Sequence, residues 1–185
     1  VKDPSPEEAN EKNVQTFTKS ALLESSVRKE LIKRHDSSHD SKLGGLNTAQ
    51  KYLEEDSVAY AMSEAAHGDK SQEQRAIKTL DAAIKLIDPV WGGAYQYSTH
   101  YDWDHAHYEK IMRVQSRYIK IYALAAKQFK SEKYLQASKD VAKYVLRFLK
   151  DKNGAFYVSQ DADIKQGEKA HKYFTYNDKK RLSLG

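Results

Sequence analysis

Three glycine turns, each placed directly after a helix-like stretch, constrain this chain more than any other feature of its sequence. They are Lys42-Leu43-Gly44-Gly45-Leu46, Val90-Trp91-Gly92-Gly93-Ala94-Tyr95 and Lys152-Asn153-Gly154-Ala155-Phe156-Tyr157. Gly44 and Gly92 are 48 residues apart, and Gly93 and Gly154 are 61 apart. That period suits one helical hairpin plus its connecting loop per unit. Glycine lets the backbone turn where a Cβ would clash, and the following aromatic folds back onto a helix end.

The stretches between the turns carry apolar residues at three- and four-residue spacing. A first helix is expected over Val14–Arg34, with Val14, Phe17, Leu22, Val27, Leu31 and Ile32 on one face. A polar loop, His35–Asp40, follows it. A second helix is expected over Thr48–Ala66, capped by Thr48 and stopped by Gly68. A third is expected over Ser71–Ile87, opened by a Ser71/Gln74 capping box and ended by Pro89. A fourth is expected over His107–Phe129 and a fifth over Glu132–Leu149, with Tyr134, Ala137, Val141, Tyr144, Val145 and Phe148 inward. The intervening 90–106 reads as a long loop with a strand-like turn at Ala94–Ser98. Residues 155–176 alternate enough to suggest a small hairpin. The expected organisation is a polar arm at 1–13, helical hairpins over 14–150, and a loop or small hairpin with a tail over 151–185. The class is all-α with short β-like loops.

Composition narrows the chemistry. The chain of 185 residues has no cysteine, which removes disulfides, thiol nucleophiles and thiolate metal ligands from it. The net charge of +5 comes from Lys and Arg interleaved with Asp and Glu, as on a solvated helix face. Only Lys179-Lys180-Arg181 is a compact basic run, and it reads as a tail. No nucleic-acid partner is expected from this pattern. No stretch approaches the roughly 20 apolar residues that span a bilayer, so no membrane association is expected. The compartment is not fixed by these features.

The densest chemistry lies in His100-Tyr101-Asp102-Trp103-Asp104-His105 together with His107 and Glu109. Three readings compete. His107 and Glu109 would act as acid and base on a sugar-like ligand, with Trp91, Tyr95, Tyr97 and Trp103 stacking on its ring. Alternatively, His105, His107 and an Asp would bind a metal, although spacing fixes no third ligand. Or the acids cap a helix and the histidines brace loops. Glu109 and Arg113 are four apart and would pair along a helix. Asp161 and Asp163 either line a pocket rim or brace a turn through Asx-type hydrogen bonds. No metal and no cofactor are assigned.

The ordered segments Gly92-Gly93-Ala94-Tyr95-Gln96-Tyr97-Ser98, Trp103, His107-Tyr108-Glu109-Lys110, Gly154-Ala155-Phe156-Tyr157 and Asp161-Ala162-Asp163 resemble the YyaL-like, spermatogenesis-associated family of thioredoxin-domain proteins. The resemblance covers about 40–180. It implies part of an (α/α)6 toroid, similar to N-acylglucosamine 2-epimerase and the six-hairpin glycosidases, with a thioredoxin-like domain usually preceding it. Here Arg113-Val114 stands where the family has Tyr-Asp. Five helices are fewer than half of the twelve in such a ring. Its apolar edge would then be covered by a second copy of the chain or by the missing second half of the toroid. The expected function is a ligand-binding or interaction module with a carbohydrate-like pocket. The alternative is a carbohydrate-active hydrolase or epimerase using His107 and Glu109. A helical remnant of a redox accessory protein is a third reading.

Overall fold

The computed structural model describes residues 23–165, 168–169, 171–174 and 176–184. The expected arm at 1–13 and the first half of the first helix lie outside the described residues. Two compact units are present, 1–37 and 38–185. The first contributes helix α1, Ser25–Ser37, along which Arg34 pairs with Glu30 at 2.9 Å. That helix runs three residues past the Arg34 end expected from the sequence.

The second unit is built from two helical hairpins. Helices α2 (Glu55–Ala66) and α3 (Lys70–Ala83) form the first, and a 3-10 turn, Ile84–Leu86, extends α3. Helices α4 (Met112–Phe129) and α5 (Glu132–Tyr144) form the second, and a π-helical turn, Val145–Leu149, extends α5. Within each hairpin the reversal is tight. At the first, Asp69 caps α3 by accepting from the Ser71 and Gln72 amides, so the cap is Asp69 and not the expected Ser71/Gln74 box. At the second, Lys130 takes a left-handed conformation with φ of 50° and Ser131 caps α5. Because each hairpin returns the chain, the long loops fall together at the opposite end.

The core is made where α3, α4 and α5 meet. Leu80, Ala83, Ile121, Tyr122, Ala125 and Val141 are fully buried there. Three tyrosines give this core its polar order. Tyr122 Oη donates to the Leu80 carbonyl at 2.6 Å, Tyr118 Oη to the Ala83 carbonyl at 3.4 Å, and Tyr134 Oη to Asp81 at 2.7 Å. The hydroxyls of α4 thus add an outside donor to carbonyls in the last turn of α3, where the Leu80 oxygen also takes the Ile84 amide. Gln128 ties α4 to α2 through the Met62 carbonyl at 2.8 Å.

Short antiparallel pairs stitch the long loops together. Strand β1 (Tyr97–Ser98) pairs with β2 (Ala106–His107), and β3 (Lys110–Ile111) pairs with β4 (Ser159–Gln160). Lys51 bridges to Ser98. Further on, β5 (Asp163–Lys165) pairs with β6 (Glu168–Lys169), followed by short helices α6 (His171–Phe174) and α7 (Asp178–Leu184). A β5–β6 hairpin thus lies within 155–176, but on neither of the alternating segments that suggested one, since 155–158 lies outside it and Tyr173 and Phe174 sit on a helical turn.

The loops share a latch. Asp40 Oδ1 accepts from the Lys42 and Leu43 amides, and its Oδ2 takes the Lys51 ammonium at 2.6 Å. Asp88 repeats this with the Val90 and Trp91 amides, while its Oδ2 takes Lys110 at 2.8 Å. In both copies the Asp amide donates to the second glycine carbonyl, Gly45 or Gly93. Both lysines are buried, and each also donates to a glycine carbonyl, Gly44 or Gly92. In the second copy Arg181 adds a 2.6 Å contact to the same Asp88 oxygen. Arg181 is thus buried in the latch, which corrects the reading of Lys179-Lys180-Arg181 as a tail. In the third copy Asp151 turns its own oxygens onto the Lys152 and Asn153 amides.

Burial alone would raise the Asp88 carboxyl. The Lys110 charge and the Arg181, Lys110 and Val90 hydrogen bonds outweigh it and hold the group at about 2. The depressed value means that Asp88 adds stability above the ordinary carboxylate range, and that this is lost as pH falls from about 4 to about 2. The loss from this one group is about 2 kcal/mol. Asp88→Asn is expected to lower the melting temperature at pH 6 and to flatten its fall between pH 5 and pH 2, measured by circular dichroism.

Glycine is required at Gly93, whose φ is 77° and where a Cβ would collide with the Tyr144 ring. Gly154 has a φ of 89° but nothing within 4 Å of the same position. Gly154→Ala should therefore cost only the backbone term, about 1 kcal/mol. Gly93→Ala should cost about 2–4 kcal/mol, since overpacking adds to it. Equal losses in urea unfolding would contradict this account.

Candidate functional site

The loop from Ala94 to Ile111 alternates, and that alternation sorts its side chains. Two-residue periodicity puts Tyr108 and Lys110 on one face and His107 and Glu109 on the other; by contact Tyr95 joins the first pair and Tyr97 the second. The first face is closed. Tyr95 is 5% exposed, with the Tyr108 ring at 5.1 Å and Phe174 at 5.7 Å, and the Lys110 ammonium lies 5.1 Å from its centre. Gln115 holds this loop down from α4, accepting from the Ala94 amide at 2.6 Å and donating to its carbonyl at 2.8 Å.

The second face is open. Tyr97 and His107 are register partners across β1–β2, and their rings stack at 4.9 Å with a 13° tilt. His107 Nε2 lies 3.6 Å from Glu109 Oε2, with the two side chains 40% and 31% exposed. The Glu109 carbonyl accepts from the Gln96 amide at 2.9 Å, which fixes the strand carrying it. The adjoining strand supplies a fourth residue. Lys110 pairs with Gln160 and Ile111 with Ser159, and Asp161 follows directly on the end of β4. Asp161 also accepts from the Asp163 amide at 3.0 Å, as an Asx-type turn does.

The other expected residues are distributed elsewhere. Trp103 is 3% exposed, and its indole donates to the Leu43 carbonyl at 3.0 Å with its ring under Gly45. Trp91 donates to Tyr173 Oη at 2.7 Å and stands edge-on to Phe148 at 5.9 Å. Arg113 is exposed in the first turn of α4. The helix begins at Met112, so Glu109 is extended backbone outside it and the expected Glu109–Arg113 pairing along a helix does not arise.

The His100–His105 loop is held by Asp102. Its Oδ1 accepts from the Asp104 and His105 amides, and its Oδ2 lies 2.7 Å from His105 Nδ1. The Asp104 amide, with the His105 and Ser98 side chains, draws the Asp102 carboxyl below its usual range. His100 and Tyr101 follow each other with φ of 61° and 60°, the left-handed region. Among the described residues no group of three or more His, Asp or Glu is placed to hold a metal ion. No described helix is long and apolar enough to cross a membrane.

The residues that sequence reasoning missed are Asp40, Asp88 and Arg181. The first two stand four residues before the first glycine of each pair, a spacing that repeats in the sequence. Arg181 carries no local signal, because its partner is 93 residues away.

No family model matches the chain. The mouse protein named spermatogenesis-associated protein 20 is 30% identical over 135 residues, which cover 69% of this chain and 17% of that protein. The human protein of that name is 28% identical over 144 residues, covering 74% and 18%. An uncharacterised Caenorhabditis elegans protein is 27% identical over 146 residues, covering 74% and 20%. The chain thus spans about a fifth or less of the length of these relatives. Among solved structures, cellobiose 2-epimerase from Bacillus thermoamylovorans superposes with a TM-score of 0.57 at 15% identity, covering 79% of this chain and 42% of that one. A sugar epimerase from a ruminal bacterium superposes with a TM-score of 0.53 at 15% identity, covering 75% and 40%. The fold is part of an α/α toroid, and sequence and fold together match the chain to the helical toroid part of the spermatogenesis-associated protein family.

Proposed function

We propose that this chain forms part of a ligand-binding toroid, and that the Tyr97–His107–Glu109 face contacts a sugar-like molecule. The observation that carries this reading is the half-open stack of Tyr97 on His107 with Glu109 beside it. An aromatic face gives a sugar ring an apolar platform. The carboxylate and imidazole beside it bond hydroxyls, and Asp161 follows directly on the end of β4. The structural neighbours are a cellobiose 2-epimerase and a sugar epimerase, which points to the same ligand class. The apolar edge formed by Leu146, Tyr157 and Val158, exposed by 61%, 56% and 80%, is the surface that further toroid hairpins or a second copy would cover.

A second reading rests on the 3.6 Å approach of His107 to Glu109. A carboxylate beside an imidazole orients it and holds its proton, which is the arrangement needed for acid/base work on a sugar carbon or glycosidic oxygen.

Titration calorimetry with cellobiose and with glucose tests the first reading. Saturable binding of either sugar is expected, and Tyr97→Ala is expected to weaken it by at least about tenfold. The melting temperature should hardly move, because Tyr97 is only half-buried. No binding of either sugar, or equal affinity in the variant, would remove this site from consideration. For the second reading, carbon NMR would follow either sugar for a new anomer, epimer or cleavage product. His107→Ala should abolish that product with an unchanged melting temperature. A drop in melting temperature without prior turnover would mean that His107 only braces the loop.

A further inference from the structure

A groove of about 890 Å³ lies between the end of α3 and one side of α5. Its apolar floor includes Ile84, Pro89, Ala137 and Leu182. Arg147 stands at its wall. The guanidinium carbon lies 4.9 Å from the Trp91 ring centre and 5.0 Å from that of Phe148. Among the described residues no carboxylate meets it.

The other charges around the groove are matched. Lys85 meets Asp104 at 2.9 Å, and Lys133 meets Asp81 at 2.9 Å. Asp140 accepts from the Gln136 amide at 2.7 Å and lies 4.0 Å from Lys143. Asp88 is taken by Lys110 and Arg181. Among the described residues lining the groove, Arg147 is therefore the cation without a carboxylate partner, and it lies against aromatic rings. Stacking removes water from one side of a guanidinium but leaves its planar N–H fork free at the edge. That fork fits two oxygens of a phosphate or carboxylate at once. Trp91 is held in place by its bond to Tyr173, so the aromatic wall is preformed.

We propose that this groove binds an aromatic ligand ending in a phosphate or carboxylate. The anion sits on the Arg147 fork, and the ring lies over the apolar floor beside Trp91. A bare anion would leave the floor unused, and a neutral aromatic would leave Arg147 unmatched.

Nitrogen-15 NMR of the whole chain provides the test, because Trp91 and Trp103 are its two tryptophans. Trp103, buried with its indole on the Leu43 carbonyl, serves as the internal reference. Phenyl phosphate and benzoate are titrated separately, with inorganic phosphate and phenol as single-feature controls. At least one of the first two is expected to move the Trp91 indole signal saturably with a dissociation constant below about 1 mM. The tighter of the two identifies the anionic head. Each control should bind at least about tenfold more weakly. Arg147→Gln should weaken binding at least about tenfold while the Trp103 signal and the melting temperature stay unchanged, and Arg147→Lys should fall between. The proposal is overturned by the absence of a saturable Trp91 shift. It is equally overturned by full affinity in Arg147→Gln, or by inorganic phosphate binding as tightly as phenyl phosphate.

Discussion

The Asp88 carboxylate, taken out of water and held by Lys110 and Arg181, is the contact on which the loop end of the second unit depends. A buried carboxylate is costly unless its charge is matched and its lone pairs are used. Here one oxygen serves the turn amides of Val90 and Trp91, and the other serves the two cations. Both cations follow Asp88 in sequence, Lys110 from the strand before α4 and Arg181 from α7. One carboxylate therefore fixes a glycine turn, the entry to a helix and the C-terminal segment together. Removing the carboxylate would leave both cations unmatched, Lys110 among them beside the Tyr95 and Tyr144 rings.

The same logic explains why the open face is rigid enough to be a site. Lys110 is locked from below, and an extended backbone turns alternate residues to opposite faces. With Lys110 buried and Tyr108 packed on Tyr95 and Phe174, Glu109 and His107 take the other side. Tyr97 follows by register. The stack of Tyr97 on His107 thus rests on the latch beneath it, and loop residues are positioned here by a buried charge cluster and two two-stranded pairs. The Arg147 groove lies on another surface and depends on a different aromatic, Trp91.

Much of the fold was legible in the sequence where periodicity is strong. The stripe Leu80, Ala83 on α3 and the stripe Tyr134, Ala137, Val141, Tyr144 on α5 are buried as read. Helix starts were less legible. Thr48 and His107 read as helix openings, yet α2 starts at Glu55 and α4 at Met112. In both places the residues ahead of the helix are claimed by pairing to the next loop, Lys51 with Ser98 and Lys110 with Gln160. That competition is tertiary and leaves no mark on local propensity. Of the candidate site, His107, Glu109 and Tyr97 are brought together. Trp103 and Tyr95 are packed away, because rings large enough to hold a ligand are also large enough to fill a core. Phe148, expected inward, is 39% exposed because the π-helical turn after Tyr144 shifts the helical phase by one residue.

In the first two turns the closing lysine lies on the very stretch that pairs with the following loop. Lys51 satisfies Asp40 while its backbone joins Ser98, and Lys110 satisfies Asp88 while its backbone joins Gln160. Neighbouring units are therefore spliced rather than stacked, since the residue that closes one turn also pairs with the next loop. Such a chain cannot be divided into beads at its loops. A boundary drawn between hairpins would separate an acid from its base, so these segments melt together or not at all.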